Sequence, residues 1–483
     1  MPALNVTMTR RLGFACVTLL LTACAVTPPE HPPPAVPLPA QFAAAPAAAS
    51  PASERWWEAF GDGQLDAFVQ DALDRNPGIG QAIARARIAE AQARVAGADR
   101  LPQAGVGLNS SRQRQSLPAF PGVEEGGHTT INNHALSLDV SWELDLWGRL
   151  GAMTTAARAD ALAAQAQLRG VRQAIAAETA RLYLTIVESR AQVDLSTRTV
   201  EALTEMARQI DNRVQAGIAA PSDGMLANAN LESARAGLEQ RREVLARALR
   251  QLEILMGDYP SATLATADTL PPVPALPATG VPAGLLARRP DVLAADWMLQ
   301  AAGYRLGAAQ RSFLPSLTLS ASGGAAAGSL ADLFQSGNVV WSIAGSLLQP
   351  IFQGGRLRAQ VDVTGAQRDE ALHSYAETAL TALAEVETAL AVDAYLARRE
   401  DALALSASAA EEAVRVSVNR YLQGIDPFLN VLESQQRALD GRSAHIAARQ
   451  ARLDNRIDLH LALGGGFADP LPSDSSPSTV SLP

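Results

Sequence analysis

Residues 136–146 read Leu-Ser-Leu-Asp-Val-Ser-Trp-Glu-Leu-Asp-Leu, with an apolar residue at every second place. Successive side chains of a β-strand point to opposite faces. The run therefore has one apolar face, Leu136 to Leu146 on even numbers, and one polar face with Ser137, Asp139, Ser141, Glu143 and Asp145. About 9–11 residues suffice for a tilted strand to cross a bilayer. Val106, Leu108 and Ser110 begin a matching outbound strand. The pair recurs as Leu317, Leu319 and Ala321, then Val339, Trp341, Ile343, Gly345 and Leu347. A soluble sandwich with one buried face would show the same alternation. Against it, the connection 116–133 is polar and Gly-rich, as a long outer loop is. The chain also offers only four such strands, while the smallest membrane barrels need about eight. Several chains must pool strands, or edges stay open in lipid.

Around these strands the chain is an internal duplication. Pro77 and Pro290 open similar helical patterns, and Leu101-Pro102 and Leu314-Pro315 close them, both at a separation of 213 residues. Gly148-Arg149-Leu150 then matches Gly355-Arg356-Leu357, and Arg213 with Gly217 matches Arg420 with Gly424, now at 207. Chance matches would not hold register over such distances. The second copy is six residues shorter in one place, a change that a surface loop tolerates.

From Arg149 to Arg213, and from Arg356 to Arg420, there are 64 steps without a proline. A helix of that length is roughly 95 Å long at about 1.5 Å per residue. Val193, Val200, Leu203, Ala207, Ile210 and Val214 form a coiled-coil-like seam, with Arg190, Arg198, Glu201, Glu205 and Arg208 on other faces. Breaks follow at Gly217–Pro221 and Gly424–Pro427, and a second helix returns from each to about Met256 and Leu463. Each copy thus ends in a long antiparallel helical hairpin. A solvated structural coiled coil would share this pattern, but it leaves the membrane-type strands unexplained.

The N-terminus carries an export signal: Arg10-Arg11, an apolar run from Leu12 to Leu21, then Leu21-Thr22-Ala23-Cys24. The run is about half of the roughly 20 residues that a spanning helix needs. Its end resembles a bacterial lipobox, which implies that Cys24 becomes the lipid-carrying first residue. An ordinary signal cut nearby is the plainer alternative. Ala25, not Asp, follows Cys24, a pattern that implies outer-membrane sorting. Residues 24–52 are a Pro/Ala tether, too poor in apolar surface to fold alone.

Composition excludes several functions. The formal net charge of -9 moves nearer -11 without Arg10 and Arg11, so nucleic acid is a poor partner. All 40 basic residues are arginine, which removes any P-loop or Schiff-base lysine. Cys16 leaves with the signal, so no disulfide and no multi-cysteine metal site can form. The six histidines lack metal-ligand spacing, Asp66 and Asp71 read as solvated helix charges, and no cofactor or catalytic set is expected. A periplasmic lipoprotein enzyme is the competitor from a different class.

Trp56-Trp57, Phe60, Asp62, Leu65, Ala72-Leu73 and Asn76-Pro77 resemble the opening of the TolC-like outer membrane efflux proteins, in their OprM/NodT-type lipoprotein branch. Arg288-Arg289-Pro290-Asp291, Phe313-Leu314-Pro315-Ser316, Asp145-Leu146-Trp147-Gly148-Arg149 and Gln353-Gly354-Gly355-Arg356 resemble other signatures of that family. The resemblance covers about residues 53–466. It divides the chain into a signal (1–23), a tether (24–52), a first repeat (53–275), a second repeat (276–466) and a disordered tail (467–483). It implies an α+β membrane fold: a homotrimer in which four strands per chain build a β-barrel, continued by an α-helical periplasmic barrel. It further implies a passive exit duct in the outer membrane for drugs or other small toxic solutes. The partners would be a periplasmic adaptor protein and an inner-membrane RND-type transporter. A type I protein-secretion duct has the same architecture and stays open as the alternative.

For particular residues the resemblance places adaptor docking at the hairpin tips, marked by Arg213, Gly217 and Ser222 and by Arg420 and Gly424. Plain helix capping is the other reading of the glycines. It places a periplasmic gate just past the second tip. Glu433 would ring the axis, Asn430 departs from the acid common at its position, and Asp223 matches Asn430 in the first copy. Asp223 is expected to contact a nearby arginine. Solvated helix polars are the alternative for all three.

Overall fold

The computed structural model describes residues 39–43, 55–116 and 128–465. The signal, Cys24, most of the tether, residues 117–127 and the tail lie outside the described residues. After a 3-10 turn at Trp56–Phe60 come α1 (Gly63–Arg75), α2 (Pro77–Ala98), β1 (Gln103–Ser116), β2 (His128–Leu144), α3 (Arg149–Gln215) and α4 (Pro221–Leu255). The second half follows as α5 (Pro282–Leu286), α6 (Pro290–Arg311), β3 (Ser316–Ala327), β4 (Val339–Leu348), α7 (Arg356–Leu422) and α8 (Phe428–Ala462). The copies agree in helix length: α2 and α6 have 22 residues, α3 and α7 have 67, α4 and α8 have 35. Among the described residues no helix is long and apolar enough to cross a membrane.

The chain divides into two compact units. One gathers 86–116, 128–164 and 295–375 around the sheet. The other, all helix and connecting chain, gathers 39–43, 55–85, 165–294 and 376–465.

The sheet is antiparallel in the order β1-β2-β3-β4. Its register aligns the alternation of all four strands. Val140 lies beside Ala104 and Ala321, and Ala321 beside Ile343. Leu138 lies beside Val106 and Gly323, and Gly323 beside Trp341. One face is therefore apolar from strand to strand, while Asp139, Ser141, Ser320, Ser322 and Ser342 share the other. A one-residue slip would exchange the faces. Gly324 is required by close approach: a Cβ there would stand 1.9 Å from the Leu136 carbonyl oxygen. β1 and β4 have no second neighbour among the described residues.

The hairpin reaches further than its apolar pattern. Residues 128–133, expected in the outer loop, belong to β2, and His128 pairs with Ser116. Backbone pairing continues past the apolar rows because Thr129, Thr130 and Ile131 are β-branched and favour extended chain.

The strand-to-helix corners are pinned by polar groups. Asp145 accepts from the Leu150 and Gly151 amides at 3.0 and 2.6 Å, capping α3. The Trp147 indole donates to the Pro315 carbonyl at 2.7 Å, and Arg149 pairs with Glu143 at 2.7 Å.

In the helical unit Trp56, Trp57, Phe60, Leu65 and Val69 pack against Tyr183, Leu184, Val187, Leu453 and Ile457. Each such side chain contributes about 1.5–3 kcal/mol on full burial. The Trp57 and Trp56 rings meet edge to face, and Trp56 stacks on His460 at 5.4 Å. Burial pushes His460 down to about 4, so it is neutral at physiological pH. Buried arginines are paired: Arg456 with Asp393 at 2.9 Å, and Arg289 with Asp291 and Glu385, both at 2.6 Å. Asp393 and Arg456 are both largely out of solvent, and removing one partner of such a pair costs about 3–5 kcal/mol.

Candidate gate and docking tips

The α3–α4 and α7–α8 connections turn by the same device. Gly217 and Gly424 take φ of 69° and 73°, in the left-handed region that glycine adopts without strain. The amide of Ile218 donates to the Arg213 carbonyl at 2.8 Å, and that of Ile425 to the Arg420 carbonyl at 2.9 Å. This is the capping pattern in which the residue after the left-handed glycine reaches back over the last turn. Pro221 then opens α4, and Pro427 caps α8. Gly217, Ser222 and Gly424 are exposed, as are the matched Ile218 and Ile425.

Beneath the tips, Leu203, Ala207 and Ile210 of α3 pack with Ala227 and Leu231 of α4, Tyr421 of α7, and Phe428 and Val431 of α8. All four helices meet in this cluster. Further along, they part around a cavity of about 410 Å³ lined by Leu195, Leu203, Ala234, Val414 and Leu439.

Tyr421 is the residue that the sequence reading passed over. Its ring lies 5.3 Å from Phe428, and the Arg213 guanidinium sits over it at 5.6 Å. Its hydroxyl donates to Asp223 at 3.3 Å. Within the chain a tyrosine thus hydrogen-bonds Asp223, and the Arg213 guanidinium lies over the face of that ring. Burial first, then the Asp223 charge, pushes the phenol up, and Arg213 partly opposes this. Asp426 was also missed. It pairs with Arg420 at 2.6 and 3.0 Å, which lowers the Asp426 carboxyl and raises the guanidinium. A signal for both existed in the repeat: at the matching places the first copy has Val214 and Ala219.

Glu433 and Asn430 stand apart from this contact. Glu433 is exposed and reaches Arg437 at 3.4 Å, one turn on. Asn430 is exposed, and its carbonyl accepts from the Ser434 hydroxyl at 2.8 Å. Among the described residues, Asp223 is the one of these three candidates that hydrogen-bonds the other hairpin.

A sheet apolar on one face with two open edges, joined to duplicated helical hairpins, defines the subunit of a membrane channel. The chain belongs to the outer membrane efflux protein family, whose profile matches residues 68–258 and again 281–465. It is 33% identical over 415 residues to the outer membrane protein OprJ of Pseudomonas aeruginosa, covering 85% of this chain and 86% of OprJ. It is 30% identical over 416 residues to the toluene efflux pump outer membrane protein TtgF of Pseudomonas putida, covering 86% of each. The crystal structure of the Campylobacter jejuni CmeC outer membrane channel superposes with a TM-score of 0.85 over 91% of this chain and 94% of CmeC. At 24% identity that likeness speaks for the fold.

Proposed function

We propose that the chain is the outer-membrane exit duct of a tripartite efflux pump, passing small toxic compounds outward. The observation that carries this is the register of the sheet: one continuous apolar face and two unpaired edges, β1 and β4. Such edges are untenable in lipid unless another copy pairs with them. Three chains bring twelve strands, enough for a barrel with an aqueous lumen lined by the polar face. The partners are two further copies of the chain, a periplasmic adaptor and an inner-membrane RND-type transporter that supplies the energy. Residues 53–275 and 276–466 are the two repeats, preceded by a signal and by a tether that Cys24 anchors to lipid.

The tips around Arg213, Gly217, Ser222, Arg420 and Gly424 dock the adaptor. Ile218 and Ile425 are exposed, one on each tip, so both tips are open to a partner. Asp223, Asn430 and Glu433 form the periplasmic gate, with three copies of Glu433 around one axis. Purified full-length protein in a planar bilayer should form pores with the mass of three chains. Trimers that insert but never conduct would overturn the proposal.

A further inference from the structure

The outward face of the first β-hairpin does not stop where its apolar rows stop. Beyond Leu108 and Leu136 it continues as Ser110 beside His134, Arg112 beside Asn132, and Arg114 beside Thr130. Ser110 Oγ lies 2.8 Å from His134 Nδ1, which sets both side chains on the same side of the hairpin. Arg112 and Arg114 are exposed, and neither forms an ion pair among the described residues. No acidic residue occurs in 103–116 or 128–138. The second hairpin has no counterpart, since β3 ends at Ala327, beside His134.

The heights decide what this strip meets. From Leu144 to Leu136 the apolar rows run roughly 27 Å along the strand at about 3.4 Å per residue. With a tilt of about 40° that is roughly 20 Å of membrane thickness, close to the apolar band of outer-membrane barrels. Arg112 and Arg114 then stand roughly 10–15 Å beyond the band on the same tilt. Their backbone thus lies just past the headgroup layer, which is roughly 5–8 Å thick, at the end of the hairpin away from Gln103 and Leu144, and long arginine side chains fold back into that layer. The guanidinium fork matches phosphate oxygens in pairs.

We infer that Arg112 and Arg114, flanked by Ser110 and His134, form a binding strip for the phosphorylated headgroups of outer-leaflet lipid. The inference rests on the channel reading, which turns this end of the hairpin outward. The strip fixes the height of the barrel in the membrane and holds a lipid against each copy of the first hairpin.

The test uses full-length trimers in non-ionic detergent, scored by native mass spectrometry for retained lipid. The probes are bisphosphorylated lipid A, its dephosphorylated form, and inorganic phosphate as competitor. Arg112→Gln/Arg114→Gln should retain about tenfold less bisphosphorylated lipid A than the unsubstituted protein, since each arginine at a lipid surface adds several-fold. Arg112→Lys/Arg114→Lys should recover part of the loss, and the dephosphorylated lipid should bind all three proteins equally weakly. Equal retention of the bisphosphorylated lipid by unsubstituted and Gln proteins overturns the proposal. Displacement of the lipid by millimolar inorganic phosphate also overturns it, by assigning the strip to free phosphate. Bilayer conductance is recorded in parallel. Normal pores from the Gln variant show an intact fold and leave the channel reading standing, so a lipid failure then counts against the strip alone. Unsubstituted trimers that do not conduct would sink the channel reading and the strip with it.

Discussion

Tyr421, at the end of α7, donates its hydroxyl to Asp223, in the first turn of α4, and so ties the second helical hairpin to the first. Arg213 covers the face of the same ring. Tyr421→Phe keeps the packing against Phe428 and removes only the tie. The loss of one long, half-exposed hydrogen bond should change stability by no more than about 1 kcal/mol. Single-channel conductance should rise severalfold, and so should that of Asp223→Asn. If both variants conduct as the unsubstituted trimer does, this contact has no part in gating.

Among the described residues the ion-pair partner of Glu433 is the exposed Arg437. Three copies around a narrow axis would favour cations, because low-dielectric walls strengthen their field. Glu433→Gln should lower the cation/anion permeability ratio severalfold and relieve block by divalent cations. Arg437→Gln should shift the ratio the other way. Identical permeability ratios in all three proteins would take Glu433 out of the gate.

Arg420 and Asp426 can be exchanged with each other. Arg420→Asp should weaken the second tip and reduce efflux. The double swap Arg420→Asp/Asp426→Arg restores the ion pair in reverse. If the pair serves only to shape the tip, efflux returns; if the arginine also meets the adaptor, efflux stays low while trimers form normally. Docking through Arg420 predicts the second outcome, measured by dye accumulation in a strain lacking its own duct.

Gly324→Val places a side chain where the Leu136 carbonyl oxygen already stands. Backbone cannot yield as a flexible side chain can, so the β2–β3 seam should open. Heat-resistant trimers on gels should disappear, while Gly323→Val, where a Cβ meets nothing within 4 Å, should leave them intact. Trimers of normal stability from Gly324→Val would contradict the register.

Asp454 is half-buried, its buried Oδ1 has no hydrogen-bond partner among the described residues, and burial pushes its carboxyl up to about 7. Arg181 opposes the shift, while Asp458 and Glu188 add to it. The unfolded value is about 3.9. A raised acid binds more protons in the folded state, so its contribution is full below that value and is lost as pH rises to 7. Asp454→Asn should therefore melt several degrees higher than the unsubstituted protein at pH 8 and no differently at pH 4. A gain of equal size at both pH values would contradict this assignment.

The long elements were legible because each follows one rule over many residues. The alternation at Leu136–Leu144 and the proline-free spans after Arg149 and Arg356 needed no tertiary information. The helix caps at Gly217 and Gly424 were legible for the same reason, since glycine alone enters that φ region cheaply. The Tyr421–Asp223 contact was not. Its partners lie 198 residues apart and meet only through the packing of four helices, and periodicity along one helix carries no such information. The polar start of β2 was hidden for a related reason: outside the apolar rows, pairing is a backbone property that side-chain pattern does not report.

The pairing of β2 with β3 makes a covalent neighbour of what would otherwise be a contact between separate molecules. A ring built from single copies would hold six equal hairpins, and a substitution at any tip would act six times at once. In a ring of three duplicated chains the tips alternate, so Tyr421 and Val214 can differ at matching places. Three positions carry the tyrosine contact while the matching three carry valine.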